Sequence, residues 1–320
     1  MKKKICLLLV LLVLAVLLTG LLKQRVEITQ EIKQVKLPDN LEEYLLESEA
    51  EVSNLKSKTE KKIIWANDSR EKTDLAIIYL HGFSATRQET APLADELADK
   101  LEANLFYTRL TGHGKSGSEL NNAELNDWLN DTWEAFEIGK ELGEEVVVIG
   151  SSTGATLATW LALEEEIDQL AALILLSPNY AVQNPLAGLA SSSLFRMFEP
   201  LLANWEHDFT EVNKKHGQYW TKEYPLTATF SMFDLIELVK QANLENIDLP
   251  VQILYSPDDQ VVKPEKIKEV FKLFTSQQKE LLAINDVGDP SNHVLAGDIL
   301  SPVNTELIKE QILQFLAEID

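Results

Sequence analysis

The chain carries five histidines and a glycine-framed serine segment, Gly150-Ser151-Ser152-Thr153-Gly154. The segment follows the apolar run Val146–Ile149 and leads into Ala155-Thr156-Leu157-Ala158, which has helical character. A G-x-S-x-G stretch between a strand and a helix makes a sharp turn that thrusts its central serine, Ser152, out of the sheet. Gly150 and Gly154 are the small residues that let neighbouring backbone pass such a turn. The helix N-terminus behind Ser152 favours developing negative charge. Ser151 lacks glycine on both sides at that spacing, and Thr153 is expected to contribute its backbone N–H, not its hydroxyl.

A serine hydroxyl is a weak nucleophile until a base takes its proton. Of His81, His113, His207, His216 and His293, only His293 follows the last strand-like run, in Ser291-Asn292-His293-Val294-Leu295. That fits a chain order of nucleophile, acid, base. His113, in Thr111-Gly112-His113-Gly114, is expected to shape the rim of the site. His207 and His216 are expected to be solvated. The acid should follow the strand Val251–Tyr255, where Asp258 and Asp259 are both eligible and Asp259 is preferred. Asp286 and Asp289 read as solvated turn aspartates. His81-Gly82-Phe83 follows the run Leu75–Leu80. The Phe83 N–H is expected to pair with the Thr153 N–H as an oxyanion site, with His81 as a structural residue.

These residues need a scaffold, and the pattern from Lys61 onward supplies one. Strand-like runs occur at Ile63–Ala66, Leu75–Leu80, Leu105–Leu110, Val146–Ile149, Ala172–Leu176, Val251–Tyr255 and Glu280–Ile284. Helical patterns lie at about Glu89–Leu101, Trp128–Leu142, Ala155–Glu166, Pro264–Phe274 and Thr305–Ala317. The alternation predicts an α/β fold, a mostly parallel central sheet with helices on both faces. It breaks at about 179–249, an aromatic-rich insertion too apolar for a disordered linker and expected to form a helical cap.

Ahead of the domain, Lys2-Lys3-Lys4 precedes an uncharged run, Ile5–Leu22. That is near the roughly 20 residues a spanning helix needs. Leu18-Thr19-Gly20 makes a poor cleavage site. Residues 1–22 are therefore expected to be an uncleaved signal anchor, with a cleaved secretory signal as the alternative. The basic start places the catalytic domain on the non-cytoplasmic side, periplasmic or extracellular. Residues 23–60 read as an acidic linker with a short amphipathic helix from Leu41, and 61–320 as the catalytic domain.

The net charge of −22 argues against a nucleic-acid partner and against adhesion to anionic lipid. The single cysteine, Cys6, excludes an internal disulfide and a cysteine-based metal site. The sequence leaves the oligomeric state open.

Taken together, His81-Gly82-Phe83, Thr111-Gly112-His113-Gly114, the Ser152 pentapeptide, Asp259-Gln260-Val261-Val262 and Asn292-His293-Val294-Leu295 resemble the α/β-hydrolase superfamily. Within it they look most like the bacterial carboxylesterase, monoacylglycerol-lipase and lysophospholipase-like group. The resemblance runs from about Lys61 to the end of the chain. Ala155 stands where many relatives have a second glycine. The resemblance implies hydrolysis of a small carboxylic ester through an acyl-enzyme on Ser152, with His293 and Asp259, no cofactor and no metal, and an apolar acyl group under the cap. The same triad could serve an aminopeptidase, an amidase or an acyltransferase. A non-catalytic, membrane-tethered binding protein is the reading of another class.

Overall fold

The computed structural model describes residues 28–184 and 196–319. The strands in chain order are β1 (Lys62–Ile64), β2 (Thr73–Leu80), β3 (Asn104–Tyr107), β4 (Gly143–Ser151), β5 (Leu170–Leu176), β6 (Glu206–His207), β7 (Tyr224–Pro225), β8 (Val251–Tyr255) and β9 (Lys279–Ala283). Seven of them form one sheet in the order β1-β3-β2-β4-β5-β8-β9. β1 is antiparallel to β3, and the other neighbouring strands of this sheet run parallel. The sheet is thus the mostly parallel one that the strand–helix alternation predicts.

The central strands are apolar on successive residues because both faces are covered. Side chains alternate between the faces. Ile78, Val148, Leu173 and Ile253 pack with Trp128, Phe136 and Leu157, from the helices Leu125–Leu142 and Thr153–Leu161. Ile77, Val147, Ile174 and Leu254 pack on the other side with Leu93, Leu97, Ile308 and Ile312, from Leu93–Leu101 and Thr305–Ala317.

Several boundaries depart from the sequence pattern, and two helices show local reasons. The helix expected from Glu89 begins at Leu93, after Pro92. A proline pushes the residue before it out of helical backbone, so 89–91 cannot join the helix. The helix expected from Ala155 begins two residues earlier, directly behind Ser152, and ends at Leu161. The insertion contains the helix Phe230–Gln241, shorter helical turns, and a small β6–β7 ladder that the sequence pattern does not announce.

Residues 28–37 run extended along the helix Leu125–Leu142. Asn126 accepts the Glu31 N–H at 3.1 Å and donates to Thr29 O at 3.1 Å. Asn130 accepts the Lys33 N–H at 2.7 Å and donates to Glu31 O at 3.0 Å. The register follows from geometry: four helical residues rise about 6 Å, close to the length of two extended residues. The helix Leu41–Ala50 follows, with Asn40 capping the Glu43 N–H at 3.2 Å and Leu41 and Leu45 buried. Its Glu49 is gripped by both Nε and Nη2 of Arg109, at 3.0 and 2.8 Å. Residues 28–60 therefore lie on the domain. Among the described residues no helix is long and apolar enough to cross a membrane, and the run Ile5–Leu22 lies outside them.

Candidate active site

Ser152 occupies the turn between β4 and the helix Thr153–Leu161 with φ 52° and ψ −113°. A non-glycine residue in this region stores about 1–3 kcal/mol of strain, which persists only where its surroundings over-determine it. The two glycines show how. A Cβ on Gly150 would stand 2.6 Å from the Ala155 backbone, and one on Gly154 would stand 2.1 Å from Leu80 O. The elbow is thus pressed against the end of β2, where His81-Gly82-Phe83 begins. Ser152 N–H donates to Leu176 O at 2.8 Å, which ties the turn to β5.

His293 lies in the loop after β9, and its Nδ1 is 2.7 Å from Asp259 Oδ2. Asp259 is buried in the turn after β8, and its other oxygen accepts the Val261 and Val262 N–H groups at 2.7 and 2.9 Å. The neighbouring Asp258 is exposed. An Nδ1–H directed at Asp259 leaves Nε2 as the acceptor. Burial alone pushes the His293 pKa down. The Asp259 charge and hydrogen bond, with Glu89 and Asp289 farther off, outweigh burial and raise it above the ordinary histidine value. Ser152 and His293 line one pocket of about 640 Å³ together with Phe83, Trp220, Tyr224, Met232 and Val261. An apolar pocket with a few convergent polar groups suits a small ligand with a hydrophobic part.

His81 is fully buried. Its Nδ1–H donates to Gly82 O at 2.9 Å and its Nε2 accepts the Leu110 N–H at 3.1 Å. Burial pushes its pKa down to about 4, so it stays neutral. Because Gly82 C=O and Phe83 N–H share one peptide plane, this bond also fixes the direction of the Phe83 N–H. Thr153 is the first residue of its helix, and such N–H groups have no intrahelical partner. Ser151, the residue before Ser152, is buried.

Three expectations are corrected. His113 is not on the rim: it is wholly buried, 4.9 Å from His81 and 5.4 Å from Trp128 between ring centres, and supports Phe83 edge-on. The small neighbours Gly112 and Gly114 let the loop fold inward. Asp289 is not solvated. It is buried, and its carboxylate accepts the Ser291, His293 and Val294 N–H groups and the Ser291 hydroxyl, shaping the loop that carries His293. His216 lines the pocket wall, whereas His207 borders the pocket but stays exposed to solvent, as expected. His216 is half-buried, stacked on Phe209 at 4.7 Å and edge-on to Trp220 at 4.8 Å. Among the pocket residues that sequence reasoning missed is the buried Glu89, which the pattern assigned to a helix. A charged residue directly before Thr90-Ala91-Pro92, where a helix cannot yet run, was the signal available.

The comparisons with known proteins agree with this architecture. Over 250 residues the chain is 25% identical to the thermostable monoacylglycerol lipase of Bacillus sp. (strain H-257), covering 78% of this chain and 92% of that protein. It superposes on a structure of the metagenome-derived lipolytic enzymes LipS and LipT with a TM-score of 0.63 at 21% identity, covering 83% of this chain and all of that one. It superposes on the monoacylglycerol lipase of Paleococcus ferrophilus with a TM-score of 0.61 at 14% identity, covering 81% and 98%. These likenesses establish the α/β-hydrolase fold. The model of the family described as serine aminopeptidase, S33, matches residues 71–287, and the chain belongs to that family.

Proposed function

We propose that the chain hydrolyses small carboxylic esters with an apolar acyl group, of the acyl-glycerol or lysophospholipid kind, through an acyl-enzyme on Ser152. The observation that carries this reading is the Asp259–His293 pair at 2.7 Å, opening on the same apolar pocket as a serine at φ 52°. Ser152 Oγ attacks the ester carbonyl while His293 Nε2 takes its proton. Asp259 stabilises the resulting imidazolium. The Phe83 and Thr153 N–H groups receive the oxyanion. The intermediate collapses, His293 returns the proton to the departing alcohol, and water, activated by the same imidazole, releases the acid. The named activity of the Bacillus relative, on monoacylglycerol, supports the choice of substrate class.

The test is turnover of p-nitrophenyl esters of graded chain length beside aminoacyl p-nitroanilides. The expected result is ester turnover that Ser152→Ala lowers by on the order of 10⁴–10⁶. Preferential cleavage of the anilides would refute the ester reading.

The segment behind Lys2–Lys4 is proposed to anchor the domain on the non-cytoplasmic side of a membrane. Its support is the composition of Ile5–Leu22. Fractionation of the full chain should find it in the membrane pellet and accessible to protease added outside the cytoplasm. Recovery in the soluble cytoplasmic fraction would refute the anchor.

A further inference from the structure

The pocket holds a buried carboxyl that the steps above do not use. Glu89 is 2% exposed, in the loop between β2 and the helix Leu93–Leu101. Its Oε2 accepts the Gly82 N–H at 2.8 Å and the Tyr79 hydroxyl at 3.2 Å. The approach depends on Gly82 having no side chain. A Cβ there would stand 2.7 Å from Glu89 Oε1 and 3.3 Å from Ser152 Cβ, so the carboxyl and the nucleophile crowd the same point. The Glu89 backbone is itself fixed. Its N–H donates to Thr86 O at 2.9 Å, and its carbonyl faces Gly297, where a Cβ would stand 2.7 Å away.

Burying a carboxyl is costly unless hydrogen bonds compensate. Burial pushes the Glu89 pKa up, and the Gly82 N–H and the charge of His293 pull part of it back. The position of its acceptor oxygen shows what the group achieves. A glycine between two working residues is free to rotate about both backbone bonds. Here both ends of Gly82 are held: its N–H by Glu89, and its carbonyl by His81 Nδ1–H at 2.9 Å. Two consecutive peptide planes are thereby locked, and the second carries the Phe83 N–H.

We propose that Glu89 is a positioning residue of the esterase site, which fixes Gly82 through its N–H and so presents the Phe83 N–H to the developing oxyanion. This rests on the reading of Phe83 as an oxyanion donor. The role differs from packing, because it needs an acceptor oxygen and not merely volume.

The experiment compares Glu89→Met, which keeps the bulk without the acceptor, with Glu89→Gln, which keeps an acceptor oxygen. Read on a p-nitrophenyl ester, E89M should lower kcat by about 10²-fold, the scale of losing one oxyanion donor, with KM within about threefold. E89Q should stay within about fivefold of the unmodified enzyme. Thermal melting verifies that each variant is folded. A folded E89M with kcat within threefold of the unmodified enzyme, or an E89Q as impaired as E89M, overturns the proposal. Should methionine prevent folding, Glu89→Ala with added formate replaces it: a similar loss, recovered several-fold by formate, is expected, and no recovery overturns the proposal. Rates of labelling by a fluorophosphonate separate this idea from the ester assignment. If the unmodified enzyme labels but turns over no ester, the ester reading fails, while the relative labelling rates of the variants still decide the role of Glu89.

Discussion

Asp259 grips the His293 ring through one carboxylate oxygen, at 2.7 Å from Nδ1, and is itself gripped through the other by the Val261 and Val262 N–H groups. A carboxylate held on both oxygens cannot rotate away, so the imidazole has one tautomer and one orientation. Asp258, one residue earlier, points to solvent. Asp259→Asn should therefore lower kcat by on the order of 10⁴ with little change in KM, as expected when the base loses its orienting acid. Asp258→Asn should stay within about threefold of the unmodified enzyme, since exposed substitutions away from such features are nearly neutral. Steady-state kinetics on one ester reads both. Equal losses at the two positions would refute the assignment of the acid.

The pH profile follows from the surroundings of His293. The base must be neutral to accept the serine proton, so kcat/KM falls as pH drops through its folded pKa. Burial lowers that pKa, but Asp259, then Glu89 and Asp289, raise it overall. The acid limb should lie above the ordinary histidine value of about 6.5. Removing the Glu89 charge by Glu89→Gln removes one raising influence, so the limb should shift to lower pH. A shift to higher pH would contradict this electrostatic picture.

The strain at Ser152 is open to a stability measurement. An L-residue at φ 52° is disfavoured by its Cβ, and glycine carries no such penalty. Ser152→Gly should be more stable than Ser152→Ala by about 1 kcal/mol in chemical denaturation, although both are inactive. Equal stabilities would mean that the elbow is relaxed.

Asp131 is a half-buried carboxyl that accepts the Thr111 N–H at the base of the His113 loop, and desolvation pushes its pKa up to about 6. A carboxyl whose folded pKa exceeds its unfolded value binds more protons when folded. Its stabilising contribution is greatest at low pH and is lost as pH rises through about 6. Asp131→Asn can still accept the Thr111 N–H and carries no charge. It should raise Tm relative to the unmodified chain at pH 7.5 and have a smaller effect at pH 4.5. The opposite ordering would show that Lys61, which pulls this pKa down, dominates the site.

The apolar runs of the central strands declare their positions because a strand covered on both faces has few alternatives, and β8 (Val251–Tyr255) coincides with its sequence pattern. Gly150-Ser151-Ser152-Thr153-Gly154 is equally legible, because the turn's steric demand is written in two glycines and a serine at fixed spacing. Placement in the chain alone also singles out His293. What the sequence did not decide is which buried charge faces which partner. Asp258 and Asp259 are identical in composition, and only the direction of the turn after β8 separates them. Asp289 and His113 look like ordinary loop residues, and Glu89 like part of a helix, until the fold turns them inward. Local pattern records how a residue meets its neighbours in the chain, whereas desolvation and hydrogen-bond partners are set by packing across the sheet, and only the tertiary structure supplies that.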